Sequence, residues 1–355
     1  MKKLNRKYKV LVLLPLGVSG TKTLCEELYQ DKNSFNDVEF IGINYDRKVK
    51  IAERELSAET LKEREKLKRI LKEYISSKNF DLIHINTEEI PRDLLDFLIS
   101  KYKTVYTVHA IRSYHYLLPL DNVKDNLTEE ILKLVNSKNV IEEIDISTFV
   151  REEIRKTIDL NKDQERKLFD YILSTANQKY LLENADESVY VSRHVQDVAK
   201  QQFGIRKGIV INNGTGLFED FEKQKDWFLK EAVSYRRNNL KRNSIVVSYI
   251  GRINRCKGVL DLGKVFEEVS KKDETLYLYL VGPSEDIFLE RYFEDRIKEN
   301  KRIRWIEKEK GVDRKGVITY YLISDIVVYP SLREAFGLTP IEASSLGRLT
   351  IVRKI

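Results

Sequence analysis

Short apolar runs rich in β-branched residues alternate along this chain with longer stretches of helical periodicity, and that rhythm leaves few folds open. Strands joined through a helix run in the same direction, because the helix carries the chain back across the sheet. The first half places strands at Tyr8–Leu14, Val38–Ile43, Asp81–Ile85, Thr104–Val108, Ser188–Val191 and Gly208–Ile211. A strongly charged helix is expected near Ala58–Ser77. Residues 110–183 form a long, mostly helical insertion, with Tyr114, Tyr116, Phe149, Phe169, Tyr171 and Tyr180 as core anchors.

A second βα series has strands at Ile245–Ile250, Leu276–Val281, Ile303–Trp305, Ile326–Tyr329 and Leu349–Val352. Its helices lie near Gly258–Ser270, Asp286–Asn300, Val312–Leu322 and Pro340–Leu346. Between the two series, over 219–243, charge rises and apolar periodicity weakens, which reads as a linker containing a helix with Trp227 and Phe228. The expected organisation is therefore a Rossmann-like domain over 1–218, a linker over 219–243 and a second Rossmann-like domain over 244–355. A doubly wound domain usually carries one more strand and a closing helix, so the second is expected to be incomplete.

The 355 residues suffice for two domains, and 42% hydrophobic with 34% charged residues describes a globular chain with a highly charged surface. The net charge of +7 suits anionic partners such as nucleotide phosphates or an acidic membrane face. No block of like charge points to nucleic acid. Cys25 and Cys256 stand in different expected domains, which fits a reduced, cytoplasmic compartment, including the inner face of a membrane. The basic amino terminus followed by Val10–Val18 imitates a signal peptide, but the apolar run is short and broken by Pro15, so a buried first strand is preferred.

The chemistry concentrates at the carboxyl ends of the second series. In open parallel sheets ligands bind there, where the strand order reverses. With order 3-2-1-4-5, the first and fourth strands are neighbours. Their loops are Gly251-Arg-Ile-Asn-Arg-Cys-Lys-Gly258 and Pro330-Ser-Leu-Arg-Glu-Ala-Phe-Gly337. Arg252 and Lys257 are thus brought beside Glu334 and a helix start. Thr339-Pro-Ile-Glu342 places Thr339 at the N-cap, Pro340 at the first helical position and Glu342 at the third. Unpaired N–H groups at a helix start favour phosphate, while the carboxylates suit hydroxyls.

The string from Tyr329-Pro-Ser to Glu342-Ala resembles the Glu-x7-Glu motif of retaining glycosyltransferases of family 4, which have the GT-B fold. Gly251-Arg252 to Lys257-Gly258 resembles that family's diphosphate-binding loop, and Ile211-Asn-Asn-Gly214 its Asn-Gly signature before the hinge. The resemblance is specific over about 245–352. It is looser in the first half, where Asp81-Leu-Ile-His84 and Thr107-Val-His109 match short strand-end patterns, and absent over 110–183.

This resemblance implies two Rossmann-like domains facing a cleft, and transfer of a hexose or N-acetylhexosamine from a nucleoside diphosphate sugar with retention. Arg252 and Lys257 would bind the diphosphate, Glu334 the sugar hydroxyls and Glu342 the ribose. Backbone N–H groups of Phe336, Gly337 and Leu338 would approach the phosphate or sugar. His109 would lie near the transferred sugar, and Gly17 and Gly20 would shape the acceptor side, although that loop departs from the family's usual paired glycines. Uridine is the base implied, with the strand end around Trp305–Glu307 beside it.

No His/Cys set has metal-ligand spacing and no Asp-x-Asp pair is present, so neither metal nor cofactor is expected. His84 reads as a structural histidine, and His115 and His194 as structural or exposed. The acceptor is not identified. Two other readings remain: a nucleotide-sugar epimerase of the same fold, and a non-catalytic sugar-nucleotide-binding subunit.

Overall fold

The computed structural model describes residues 8–15, 28–29, 35–44, 48–51, 54–57, 61–112, 127–137, 141, 143–156, 159–306, 309 and 311–355. They fall into two compact units, Met1–Asn213 and Gly214–Ile355.

The first unit is built on an eight-stranded sheet of order β4-β3-β2-β1-β5-β6-β7-β8. These strands are β1 (Tyr8–Pro15), β2 (Phe35–Asn44), β3 (Lys48–Ile51), β4 (Arg54–Ser57), β5 (Leu82–Ile85), β6 (Lys103–Val108), β7 (Glu187–Tyr190) and β8 (Ile209–Val210). Pairing is parallel from β2 through β8, as the βα rhythm requires. Val10 to Leu14 are all buried in β1. A strand covered on both faces needs such a continuous apolar run instead of an alternating one.

The sheet is extended by an antiparallel pair, β2–β3 and β3–β4, that the sequence reading missed. Lys48-Val-Lys-Ile51 and Arg54-Glu-Leu-Ser57 are too short and too charged to stand out as strands. The charged helix runs over Leu61–Lys78.

Within the expected insertion, helices cover Leu127–Ser137, Glu143–Phe149 and Lys162–Asn184, with a π-helical turn over Val150–Ile154. Asn161 caps the longest, accepting from the N–H groups of Asp163 and Gln164 while Gln164 returns a bond to Asn161 N–H. Tyr171 is buried, as expected, and Phe149, Phe169 and Tyr180 are half-buried. Tyr114 and Tyr116 lie outside the described residues.

The second unit holds a five-stranded sheet of order β11-β10-β9-β12-β13, which is the anticipated 3-2-1-4-5. Its strands are β9 (Ile245–Ile250), β10 (Leu276–Val281), β11 (Ile303–Ile306), β12 (Ile326–Tyr329) and β13 (Leu349–Val352), all in parallel register. Tyr249, Leu278, Tyr279, Leu280, Val327 and Tyr329 are buried at its centre. Each such side chain contributes roughly 1.5–3 kcal/mol by leaving water.

Residues 219–243 differ from the linker expected of them. Helices Leu217–Lys223 and Lys225–Asn239 occupy this stretch, and Phe221, Phe228 and Ala232 belong to the core of the second unit. Arg236 ties the second helix down, donating to Asp325 at 2.9 Å and to the Ser244 carbonyl at 2.7 Å. The high charge belongs to the outward faces, and it masks the few inward residues that do the packing. Among the described residues no helix is long and apolar enough to cross a membrane.

Candidate active site

β9 and β12 are hydrogen-bonded neighbours, so the loops leaving their carboxyl ends start side by side. The loop after β9 is clamped from both flanks. On one side Ile253 N–H donates to the Pro283 carbonyl, and Glu285 N–H to the Ile253 carbonyl, each at 2.9 Å. On the other, Leu332 N–H donates to the Cys256 carbonyl at 2.8 Å. Tyr249 closes the base of the loop by donating its hydroxyl to the Arg252 carbonyl at 2.7 Å.

The loop ends in a 3₁₀ turn, Arg255–Lys257, and then Gly258 at φ +65°, from which helix Val259–Ser270 departs. This geometry aims Lys257 at the neighbouring loop. Its Nζ stands 2.6 Å from Glu334 Oε2, with about a quarter of each side chain exposed (23% and 27%). Ser331 Oγ lies 3.4 Å from the same oxygen. A cation and a carboxylate therefore face one another across two strand ends, as the sequence anticipated.

Arg252 meets a different partner. Its guanidinium donates to Glu285 Oε1 at 2.8 Å, while the Asn254 amide donates to Glu285 Oε2 at 2.8 Å. Glu285 follows β10, on the far side of the loop, and more than half of the Arg252 side chain (58%) is exposed. Of the two expected cations, Lys257 is the one seen at Glu334, while Arg252 is seen at Glu285.

The helix after Glu334 starts earlier than the Thr339 cap predicts. It spans Leu338–Ser345 with Gly337 at the N-cap, φ +83°, and no side-chain cap. Pro340 thus sits third in the helix. That position is open to it, because the first-turn N–H groups have no intrahelical partner and the lost donor costs nothing. The N–H groups of Leu338 and Thr339 remain at the anion-attracting end.

Glu342 is displaced into the second turn and is no capping-box partner. Its carboxylate instead accepts from the Tyr321 hydroxyl at 3.1 Å and approaches Thr215 Oγ1 at 3.4 Å. Tyr321 also meets Tyr329 OH at 3.0 Å and the Thr339 carbonyl at 3.2 Å. Burial and the nearby Tyr329 and Glu342 push the Tyr321 phenol well above its ordinary range, so it stays a neutral donor.

Trp305 is half-buried, its indole N–H donating to the Gly282 carbonyl at 2.9 Å. Glu307, Gly17 and Gly20 lie outside the described residues. Among the described residues no group of three or more His, Cys, Asp or Glu side chains could hold a metal ion.

In the first unit, His109 follows β6 and shares a hydrogen bond of 3.0 Å with Asn86, which follows β5. Burial depresses the His109 pKa from 6.5 to about 4, so the imidazole is neutral near pH 7. His84 fits its structural reading. Both ring nitrogens are engaged at 2.7 Å, by Tyr29 OH and Thr107 Oγ1, and its pKa also falls to about 4 through burial and then the nearby His109.

Residues 232–355 match the family model for glycosyl transferases group 1.

Over both units the chain is similar to the catalytic domain of starch synthase IV from Arabidopsis thaliana bound to ADP and acarbose. The TM-score is 0.61 at 14% identity, covering 98% of this chain and 83% of that one. It is likewise similar to Anabaena Alr3699/HepE in complex with UDP and glucose, with TM-score 0.56, 14% identity and coverage of 97% and 80%. The two sheets thus have the GT-B fold. In sequence, the chain is 24% identical over 266 residues to trehalose synthase from Thermococcus litoralis. That match takes in 66% of this chain and spans 61% of the relative's length.

Several groups in this unit escaped the sequence reading. Glu285 was invisible because its partner loop is fixed by β10, a strand to which no ligand role was attached. Tyr321 lies on helix Arg314–Ile323, and only the folded register shows that its hydroxyl reaches Glu342. Ser331 stood in the quoted loop, yet a lone serine there carries no signal of its own.

Proposed function

We propose that this chain is a retaining glycosyltransferase that moves a hexose or N-acetylhexosamine from a nucleoside diphosphate sugar, with UDP as carrier, to an acceptor hydroxyl. The observation that carries the proposal is the 2.6 Å pair of Lys257 and Glu334 beside the Gly337-capped helix. Lys257 supplies a mobile positive charge for the leaving diphosphate, and the helix start adds N–H donors. Glu334 turns its carboxylate to donor-sugar hydroxyls, and Glu342, held by Tyr321, accepts from the ribose. Arg252 can reach phosphate by exchanging Glu285 for it.

The bond from the anomeric carbon to the phosphate oxygen breaks, and its electron pair leaves with the diphosphate. The acceptor oxygen bonds to the same face of that carbon, and its proton passes to the departing phosphate oxygen. Lys257 and Arg252 provide the charge stabilisation, and no metal takes part. His109 serves as a hydroxyl-binding group.

A panel of UDP-, ADP- and GDP-sugars tests this reading, with nucleoside diphosphate release as the signal. Release with one donor class, abolished in Lys257→Ala, is expected. Absence of release and of binding across the panel overturns it, whereas an epimerised nucleotide sugar without transfer would identify an epimerase.

A further inference from the structure

The polar groups that end β5 and β6 form a buried assembly that the diphosphate chemistry does not use. Asn86 is its inner member. Its side chain is 5% exposed, and its backbone N–H donates to the Leu13 carbonyl of β1 at 2.9 Å. The amide nitrogen faces the His84 carbonyl at 3.5 Å. A carbonyl can only accept, so this contact turns Nδ2 toward His84 and leaves Oδ1 for His109 Nε2 at 3.0 Å. Oδ1 in turn can only accept. The proton of the ring must therefore sit on Nε2, which leaves Nδ1 with a lone pair and no hydrogen bond to any described residue.

The chain beyond His109 is held just as firmly. Gln178, buried on helix Lys162–Asn184, donates to the Ala110 carbonyl at 2.8 Å and accepts from Arg112 N–H at 2.9 Å. Its amide also donates to Glu88 Oε1 at 3.0 Å, and the same carboxylate accepts from the Tyr106 hydroxyl. Glu89 pairs with Arg112 at 3.2 Å. An imidazole fixed on both flanks, in one tautomer, is a pre-set hydrogen-bond acceptor.

We infer that Asn86 is a positioning residue that locks His109 as the Nε2–H tautomer, so that Nδ1 accepts a hydrogen bond from a sugar hydroxyl. The hydroxyl assignment rests on the glycosyltransferase reading; the tautomer does not. His84, the titratable group next to His109, has both nitrogens occupied and cannot substitute for it.

Long-range ¹H–¹⁵N correlation spectra of the full chain, with ¹⁵N-labelled histidine, test the lock directly. The wild type should show His109 protonated on Nε2 alone at pH 7. Asn86→Ala should release it into a mixture of both tautomers, while His84, held by other partners, keeps its signals and reports that the fold is intact. Asn86→Asp serves where the alanine variant does not fold. Its carboxylate keeps the proton on Nε2 and stabilises the imidazolium, raising the His109 titration from about 4 toward its ordinary range. An Nδ1–H tautomer in the wild type overturns the inference. So does an unchanged tautomer in Asn86→Ala, or an unmoved titration in Asn86→Asp.

Saturating glucose, with binding verified by calorimetry, should shift His109 Nδ1 and leave Nε2 in place. Bound sugar with an unmoved Nδ1 overturns the hydroxyl role. Absence of binding, with the tautomer result intact, counts against the sugar assignment and leaves the positioning role of Asn86 standing.

Discussion

Gly258 approaches the Pro330 carbonyl so closely that a Cβ on Gly258 would lie 2.1 Å from that oxygen. The contact joins the loop after β9 to the loop after β12, one residue beyond Lys257. Its φ of +65° adds a backbone preference against any side chain. Gly258→Ala should therefore lose roughly 3 kcal/mol or more of stability, or displace Lys257 from Glu334. Gly204 is the control: its φ is +72°, but nothing lies within 4 Å of its Cβ position, so Gly204→Ala should cost only about 1 kcal/mol. Urea unfolding of the two variants measures the difference, and equal losses would show that the Pro330 contact has no weight.

Lys257→Ala removes the charge facing Glu334 and, on the proposed mechanism, the group that stabilises the leaving diphosphate. Turnover should fall on the order of 10²–10³-fold, mostly in kcat, because the developing charge exists only as the bond breaks. Glu334→Ala should also lose most turnover, through the sugar rather than the phosphate. Nucleoside diphosphate binding should therefore survive in Glu334→Ala and weaken in Lys257→Ala. Full turnover by the Lys257 variant would exclude the diphosphate assignment.

Tyr321→Phe deletes one hydroxyl that serves Glu342, Tyr329 and the Thr339 carbonyl together. A stability loss of about 1–2 kcal/mol follows from leaving buried acceptors short of a donor. If Glu342 grips the ribose, the variant should also raise KM for the donor. That rise should vanish with a donor lacking the ribose hydroxyls, which steady-state kinetics on the deoxy nucleotide sugar would reveal.

Much of the fold was legible because parallel strands announce themselves. The run Leu276–Val281 is apolar throughout and Ile245–Ile250 is broken by Ser248 alone, and each coincides with an observed strand. The β3–β4 hairpin was not legible, since its strands are four residues each and Lys48, Lys50, Arg54 and Glu55 dilute them. Of the site, the Lys257–Glu334 pairing followed from strand order alone. The Arg252–Glu285 pairing did not, because strand order names neighbouring loops without saying toward which neighbour a long side chain leans. The Pro340 helix start was misjudged for a similar reason. Proline is compatible with the whole first turn, so sequence brackets the cap without fixing it.

Activity should be indifferent to chelators. The proposed charge stabilisation comes from Lys257 and Arg252, so exhaustive treatment with EDTA should leave kcat and KM within about twofold of the untreated enzyme. A loss that added Mg²⁺ or Mn²⁺ restores would replace this scheme with a metal-assisted one.

Stability should depend on pH through His84. Its pKa lies near 4 in the folded chain against an ordinary value of 6.5, so between these values the unfolded chain binds a proton that the folded one refuses. Stability then rises with pH across this window and is lost as pH falls from about 6.5 to about 4, on the order of 3 kcal/mol for a side chain so fully buried. Carboxylates titrate over part of the same range, so the test is differential. His84→Gln should be less stable than wild type at pH 7, because its bonds to Tyr29 and Thr107 are altered, yet it should lose less on acidification. Urea midpoints at pH 7, 6, 5 and 4 give both slopes. Parallel curves for the two proteins would mean that His84 takes up its proton in the folded chain as readily as in the unfolded one.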